Sequence, residues 1–155
     1  MKTLIRHATS RDFQKLLSID ETCFPPEIAY DSHGLKHMMG RAGAETIVVE
    51  EDGGIRAFLL MDVNRSDKVA TLVTLDVQSD HRRKGYASSL LSRSEQILVD
   101  HGVSTYKLQV DTKNEAAIAF YRSSGFEVER LLRKYYPGGR DAWQMVKKLQ
   151  AVAGK

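Results

Sequence analysis

The sequence contains a single cysteine, Cys23, so an intrachain disulfide framework is excluded. It also has no CxxC pair and no zinc-knuckle spacing, so we expect no structural metal site. A chain with one unpaired cysteine is compatible with a reducing compartment. We therefore expect a cytoplasmic protein.

Long apolar runs are also missing. No stretch approaches the roughly 18 apolar residues of a membrane-spanning helix, and residues 1–13 lack the apolar core of a secretory signal. The sequence also lacks a large excess of charge of one sign, because its formal net charge is only +3. The sequence has no basic stripe beyond residues 82–84 and no pattern of stacking aromatics. We therefore expect neither a membrane nor a nucleic acid as partner.

What the sequence does have is the composition of one ordinary globular domain. It has 155 residues, of which 42% are apolar and 28% are charged, with no repeat and no linker, so we expect a single domain over residues 1–155. Periodicity and turn residues predict an α/β domain with the element order βααβββαβαββ. Strands are expected over 2–7, 46–49, 55–63, 69–77, 103–110, 126–135 and 142–149. Four helices are expected, over Thr9 to Cys23, 31–40, about 85–100 and 114–123.

The most informative segment is the stretch from Arg82 to Ser88, called here the basic loop. It lies where a central strand passes into a helix, and the first turn of a helix offers unpaired N–H groups to an anion. Gly85 would let the backbone approach a ligand closely, and the basic residues add charge. The Walker and dinucleotide-binding glycine patterns are both absent. A solvated basic helix start is the alternative explanation.

Three motifs then resemble the GNAT N-acetyltransferase superfamily. The basic loop contains Arg82-x-x-Gly85-x-Ala87, similar to the acetyl-CoA signature of that family. The stretch from Lys107 to Phe126 resembles the next conserved segment of the family. The stretch from Arg133 to Ala142 is similar to the RimI-type branch, the protein N-terminal (ribosomal-protein alanine) acetyltransferases. The resemblance is good over about 69–149 and weaker over residues 1–60.

The resemblance implies a mixed, mostly antiparallel sheet whose parallel strands 69–77 and 103–110 splay apart to hold acetyl-CoA. The backbone of the basic loop would hold the pyrophosphate, and the pantetheine would lie in the gap. The implied coenzyme-binding residues are Leu75, Val77, Arg82, Arg83, Lys84, Gly85, Tyr86, Ala87, Ser88 and Asn114. Tyr121 would protonate the leaving thiolate, and no acyl-enzyme would form. Gln109, Tyr135 and Tyr136 would border the acceptor amine.

The general base is where the sequence departs from its relatives. Gln109 stands where the RimI-type relatives often carry Glu, and an amide cannot accept a proton as a base. A Glu used by another lineage corresponds here to Val73. Three substitutes remain open: Glu27 in the substrate-facing loop, Asp76 on the central strand, and bulk water acting on a partly neutral α-amine. Glu27 is the candidate named here as catalytic, and a plain turn residue is the competing explanation.

Other chemistry-bearing residues have simpler explanations. His33 and His37 share one helix face, but without an acidic partner in an HExxH pattern a solvated face is expected. Cys23 and Trp143 are expected in the core.

The function predicted from the resemblance is transfer of an acetyl group from acetyl-CoA to a primary amine by direct attack. The preferred acceptor is a protein or peptide N-terminal α-amine. The alternatives are a small-molecule amine, such as a polyamine, amino acid or antibiotic, and a non-catalytic acyl-CoA-binding module. The absence of a titratable residue at Gln109 favours the non-catalytic module, whereas Tyr121 disfavours it.

Overall fold

The computed structural model describes residues 2–150, in which strands and helices follow one another in the predicted order. The strands are β1 (Thr3–His7), β2 (Ala44–Glu51), β3 (Gly54–Asn64), β4 (Val69–Val77), β5 (Thr105–Asp111), β6 (Glu127–Tyr136) and β7 (Arg140–Lys148). The helices are α1 (Phe13–Cys23), α2 (Ser32–Met39), α3 (Tyr86–Asp100) and α4 (Glu115–Ser123). The predicted order is confirmed, and most element ends agree within about two residues.

All seven strands form one sheet in the order β1-β2-β3-β4-β5-β7-β6. Only β4 and β5 run parallel, and the other neighbours are antiparallel, which confirms the predicted fold class. Helix α3 makes the crossover between the parallel strands. Its Leu90 and Leu98 are fully buried in the apolar cluster on one face of the sheet. Helices α1 and α2 cover the other face, where Leu16 and Leu35 are buried.

The parallel strands pair over only part of their length. Their register runs from Val69 opposite Thr105 to Leu72 opposite Leu108 and then stops, although both strands continue. Beyond that point β5 remains paired with β7 as far as Asp111, so it diverges from β4. The predicted splay therefore exists, and it leaves main-chain groups of β4 without a strand partner on that side.

A β-bulge lies where the splay begins. Leu60 of β3 lies opposite Thr74, whereas the next residue, Met61, lies opposite Leu72. Val73 is therefore an extra residue on β4. Such a bulge bends the strand and reverses the alternation of its side chains from that point onward.

The bulge decides where two polar residues of β4 point. Thr74 lies opposite Leu60, and Asp76 lies opposite Phe58. Directly opposed residues share a face of the sheet, and both apolar partners belong to the cluster that packs under α1. Thr74 and Asp76 therefore face α1, and the side chains of both are buried.

Candidate active site

A cleft of about 970 Å³ opens at the splay. Its walls come from the end of α1 and the following loop, from β4 and β5, from the basic loop, from α4, and from the β6–β7 hairpin. Every site residue predicted from the sequence lines this cleft except Glu27, Lys84 and the alternative base Asp76. Residues that lie far apart in the sequence are thus brought to one place in the structure.

The basic loop has the backbone shape of an anion site. Gly85 has φ +80° and immediately precedes α3, and Arg83 also has a positive φ of 64°. A Cβ atom added to Gly85 would meet nothing within 4 Å, so open space lies over the helix start. The first N–H groups of α3 have no intrahelical partner and face the positive end of the helix dipole. This arrangement fits a phosphate group.

Glu51, the last residue of β2, stabilises the basic loop through hydrogen bonds. No pattern in the sequence pointed to this residue. Its carboxylate is 2% exposed and accepts hydrogen bonds from Tyr86 Oη at 2.6 Å and from Lys84 Nζ at 3.3 Å. His81 Nδ1 lies 3.1 Å away. The bond from Tyr86 is the main reason that the pKa of Glu51 is lowered. The ammonium of Lys84 is therefore directed at Glu51 and not at the cleft.

The coenzyme gap is bordered by the end of β4 and by the side chain of Asn114. Val77 and Leu75 line the cleft beyond the last β4–β5 pair. The Val77 carbonyl accepts from Arg82 Nε at 3.2 Å, which connects the basic loop to the strand. Asn114 forms the N-cap of α4, where its Oδ1 accepts from the N–H of Ala117 at 3.1 Å. The side-chain NH₂ group of Asn114 is left to donate toward the cleft.

Tyr121 is a buried phenol on the cleft wall. Its ring makes edge-to-face contacts with Phe120 and Phe126, at centroid distances of 5.3 and 5.7 Å. Burial is the main cause of a pKa raised far above that of an ordinary tyrosine, and the charge of Asp76 adds to it. The hydroxyl therefore keeps its proton at physiological pH and can act as a donor and not as a base.

Gln109 is held in a chain of amides. Its Nε2 donates to Gln144 Oε1 at 3.2 Å, and the Nε2 of Gln144 donates in turn to Glu129. Tyr136 Oη donates to the Gln109 carbonyl at 3.3 Å, and Tyr135 Oη lies 3.5 Å from Gln109 Oε1. The resident amide thus matches its surroundings as both donor and acceptor.

Tyr135 and Tyr136 form an aromatic wall beside Gln109. Their rings are nearly perpendicular, with centroids 4.9 Å apart, and Tyr135 is 49% exposed. Burial raises the pKa of both hydroxyls, so both are donors at neutral pH. An aromatic wall with polar tips suits a ligand that is partly apolar and partly hydrogen-bonding.

Glu27 lies outside the cleft lining and is exposed. Its carboxylate pairs with Arg140 Nε at 3.2 Å, and Arg140 Nη1 also pairs with Asp111 at 2.7 Å. Arg140 thereby connects the loop after α1 to β5. Burial is what raises the pKa of a carboxyl group toward neutrality, where it works well as a base. The side chain of Glu27 is instead exposed and ion-paired. Asp76, the other acidic candidate, is 1% exposed and lies behind Thr74.

The remaining residues singled out in the sequence have ordinary environments. His33 and His37 are exposed on α2. Within residues 2–150 no group of three or more side chains is placed to bind a metal ion. The Cys23 thiol is half-buried and donates to the Val77 carbonyl at 3.4 Å, and burial raises its pKa. Trp143 is partly buried against the main apolar cluster. No helix in this part of the chain is long and apolar enough to cross a membrane.

The splayed sheet, the basic loop before α3 and the buried phenol of Tyr121 form the arrangement that the resemblance to the GNAT superfamily implies. Residues 11–126 match the model of the acetyltransferase (GNAT) family, so the chain belongs to that family. The family predicted from the resemblance is thereby confirmed, and acetyl-CoA is the cosubstrate that this family uses.

Individual relatives resemble this chain over different parts of its length. The chain is 37% identical over 87 residues to the [ribosomal protein bS18]-alanine N-acetyltransferase of Escherichia coli (strain K12), which covers 56% of this chain and 57% of that protein. It is 25% identical over 152 residues to an N-alpha-acetyltransferase of Sulfurisphaera tokodaii, covering 91% and 90% of the two chains. The crystal structure of the ribosomal-protein-S18-alanine N-acetyltransferase from Escherichia coli matches with a TM-score of 0.86 at 27% identity, covering 99% of this chain and 97% of that chain.

Proposed function

We propose that this protein transfers the acetyl group of acetyl-CoA to the N-terminal α-amine of a protein or peptide. The observation that carries the proposal is the placement of the aromatic wall, Tyr135 and Tyr136, beside Gln109 in the same cleft as the coenzyme gap. The relatives named above, which act on ribosomal protein bS18 or are N-alpha-acetyltransferases, support this choice of acceptor. The single cysteine is consistent with a cytoplasmic site of action.

Each part of the cleft has a task in this reaction. The basic loop would hold the pyrophosphate of acetyl-CoA on the N–H groups before and within the first turn of α3. The unpaired edge of β4 near Leu75 and Val77 would bind the pantetheine amides. Acetyl-CoA supplies the acyl group as a thioester, already activated for attack by an amine. A nucleophilic side chain is therefore not required.

Tyr121 serves the leaving group. A thiol has a reference pKa near 8.5, so a thiolate that departs into this cleft is a good acceptor for a hydrogen bond or a proton. The buried phenol keeps its proton and is held in place by two aromatic neighbours. A general acid placed in this way contributes about 10²- to 10⁴-fold to rate.

The aromatic wall and Gln109 would bind the substrate that carries the acceptor amine. Tyr136 already donates to the Gln109 carbonyl, so at this wall Tyr135, whose contact with Gln109 Oε1 is long at 3.5 Å, supplies the donor and Gln109 Oε1 supplies the acceptor. An extended peptide terminus offers backbone N–H and C=O groups to such partners, whereas a polyamine offers only donors. This asymmetry favours a peptide acceptor.

The test is a panel of acceptors with acetyl-CoA, followed by release of free thiol. The panel contains a peptide with a free α-amine and no lysine, the same peptide with a blocked α-amine and an added lysine, and spermidine. We expect turnover of the first peptide only. Turnover of spermidine alone would move the function to small amines, and thiol release by none of the three, with acetyl-CoA bound, would favour a binding module.

A further inference from the structure

Two buried carboxyl groups share one hydroxyl at the edge of the cleft. Thr74 Oγ1 lies 2.5 Å from Asp76 Oδ1 and 3.3 Å from Asp20 Oδ1. Asp20 comes from α1 and Asp76 from β4, and each is only 1% exposed. The bulge at Val73 is what turns Thr74 and Asp76 toward α1. The sequence gives no sign of this meeting, because 54 residues separate Asp20 from Thr74.

The two contacts of the Thr74 hydroxyl require one proton on either Asp20 or Asp76. A threonine hydroxyl has one hydrogen and can donate it to only one of the two carboxyl oxygens. The second contact needs a proton on a carboxyl group. Among the residues that the structure describes, the buried Asp76 Oδ2 has no hydrogen-bond partner, and Asp20 Oδ2 accepts only from the N–H of Tyr30, at 2.8 Å.

The electrostatic surroundings lead to the same conclusion. Within residues 2–150 neither carboxyl group has an ion-pair partner, and two buried like charges cannot both be sustained without one. Arg82, a cation whose charge acts on Asp76, donates to the Val77 carbonyl and lies 3.6 Å from Cys23 Sγ. The pair therefore holds one proton and a single negative charge. Burial and the neighbouring Asp20 raise the pKa of Asp76 in accordance with this.

The pair also lies where a proton acceptor is needed. Asp20 and Thr74 line the same cleft as Tyr121 and Gln109. An incoming ammonium has no lone pair and must lose a proton before it can attack. Gln109 cannot accept that proton, and Glu27 is exposed and paired with Arg140.

We propose that Asp20, Thr74 and Asp76 form a proton relay that deprotonates the acceptor amine; this rests on the proposed amine acetylation. The ammonium gives its first proton to Asp20, and the Thr74 hydroxyl lets the pair share it, so the pair passes from one proton to two and becomes neutral. The freed lone pair forms the C–N bond as the C–S bond breaks. The second proton lost by nitrogen passes to the Tyr121 phenolate, which forms when Tyr121 donates its own proton to the thiolate. The pair then returns one proton to solvent.

The direction of this transfer has a physical cause. Burial penalises the charged form of the pair, so gaining a proton relieves that penalty. The groups that face the Asp20–Asp76 pair are Cys23 from α1, Tyr30 from the following loop, Thr74 on β4, Arg82 before α3, and Tyr121 on α4. Among these neighbours only Arg82 carries a permanent positive charge, and its side chain is exposed. It therefore does not cancel the pair's charge.

The kinetic test uses whichever amine the wild type acetylates. We expect Asp76→Asn and Asp20→Asn each to lower kcat by about 10²-fold at pH 7, with the Kd for acetyl-CoA within twofold of the wild type. The loss should shrink as pH rises, since more amine is then already neutral. Thr74→Val should also lower kcat, and Thr74→Ser should restore it. Glu21→Gln, an exposed acid next to Asp20 on α1, is the matched control and should change nothing.

A second readout needs no acceptor, so it separates the relay from the choice of substrate. Infrared difference spectroscopy of the wild type at pH 7 should show the C=O stretch of one protonated carboxyl group, lost in both Asn variants. If no N-terminal peptide is acetylated but the band is present and another amine shows the same dependence, the relay stands and the proposed acceptor fails. Absence of the band, or wild-type kcat and pH profile in both Asn variants, would overturn the relay. If Asp76→Asn does not fold, the Asp20 and Thr74 variants decide.

Discussion

Tyr86 Oη donates a 2.6 Å hydrogen bond to the buried carboxylate of Glu51, and this contact joins the first residue of α3 to the last residue of β2. Lys84 and His81 approach the same carboxylate. One acidic side chain thus contacts two residues within the basic loop and the residue that precedes it. The loop owes its shape to a strand that contributes nothing to the cleft lining.

Glu51→Gln should therefore weaken acetyl-CoA binding without removing any group from the cleft. The neutral amide loses the charge-assisted bonds from Tyr86 and Lys84, so the loop is less well ordered before the coenzyme arrives. We expect the Kd for acetyl-CoA, measured by titration calorimetry, to rise by roughly tenfold, the scale of about one charge-assisted hydrogen bond. An unchanged Kd would show that the loop needs no support from Glu51.

Gly85→Asp should abolish acetyl-CoA binding, because it places bulk and negative charge in the open space over the start of α3. The matched control is Gly102→Asp at the other end of α3, where φ is +78° and a Cβ likewise meets nothing within 4 Å. Both variants carry the same backbone strain. Thermal shift with acetyl-CoA should vanish only in the Gly85 variant. A preserved shift there would remove the phosphate site from the basic loop.

Tyr121→Phe should keep coenzyme binding and slow turnover by roughly 10²-fold or more, since the phenol is removed and the aromatic packing is kept. Single-turnover rates and the Kd for acetyl-CoA measure the two effects separately. Phe120→Leu, which changes the ring next to Tyr121 and keeps the hydroxyl, is the control for packing. A wild-type rate in Tyr121→Phe would mean that the thiolate leaves without help from this residue.

Gln109→Glu tests the amide chain. The new carboxylate would face Gln144 Oε1, because the NH₂ group of Gln144 is already engaged by Glu129. We expect a loss of about 1 kcal/mol in the free energy of unfolding, the scale of one mismatched hydrogen bond. The double variant Gln109→Glu/Glu129→Gln allows Gln144 to turn over and should recover that loss. Restoring the family's usual base should then raise the rate at pH 7 in the double variant. A single variant as stable as the wild type would contradict this arrangement.

The stability of the wild type relative to Asp76→Asn should depend on pH in one direction. The folded-state pKa of Asp76 is raised above its unfolded value of 3.8. Below about pH 4 the carboxyl group is protonated in both states. Above it the unfolded chain releases the proton while the folded chain keeps it, so the wild type loses up to about 1.4 kcal/mol per pH unit until the folded pKa is passed.

Urea unfolding of both proteins between pH 4 and pH 8 measures this difference, since asparagine does not titrate. A difference that stays constant over that range would show that Asp76 ionises as an ordinary aspartate. A difference that grows with pH in favour of the wild type would show that its carboxylate is stabilised in the fold.

The sequence was sufficient for the order of the elements and for the part of the site that is local in the chain. The basic loop, Asn114 and Tyr121 each lie at the start or along the length of one helix, where periodicity and capping are readable. Side-chain contacts between residues that are far apart in the sequence could not be predicted from local patterns. Glu51 and Tyr86 are 35 residues apart, and Glu27 and Arg140 are 113 apart.

The bulge at Val73 shows the physical reason why such contacts between distant residues could not be predicted from the sequence. Its one extra residue reverses the faces of Thr74 and Asp76, and no local propensity distinguishes this from a regular strand. The apolar alternation on its own would leave the direction of Asp76 open. Only the pairing with β3 decides that the carboxyl group meets α1 and Asp20.

The most direct test of the proposed function is to locate the acetyl group on a product. A peptide that carries both a free N-terminal α-amine and an internal lysine is incubated with acetyl-CoA and the wild-type protein, and the product is mapped by tandem mass spectrometry. We predict a single acetyl group on the α-amine, with none on the lysine, and loss of that product with Tyr121→Phe. Acetylation of the lysine alone, or an unmodified peptide while acetyl-CoA is bound, would contradict N-terminal acetylation at this cleft.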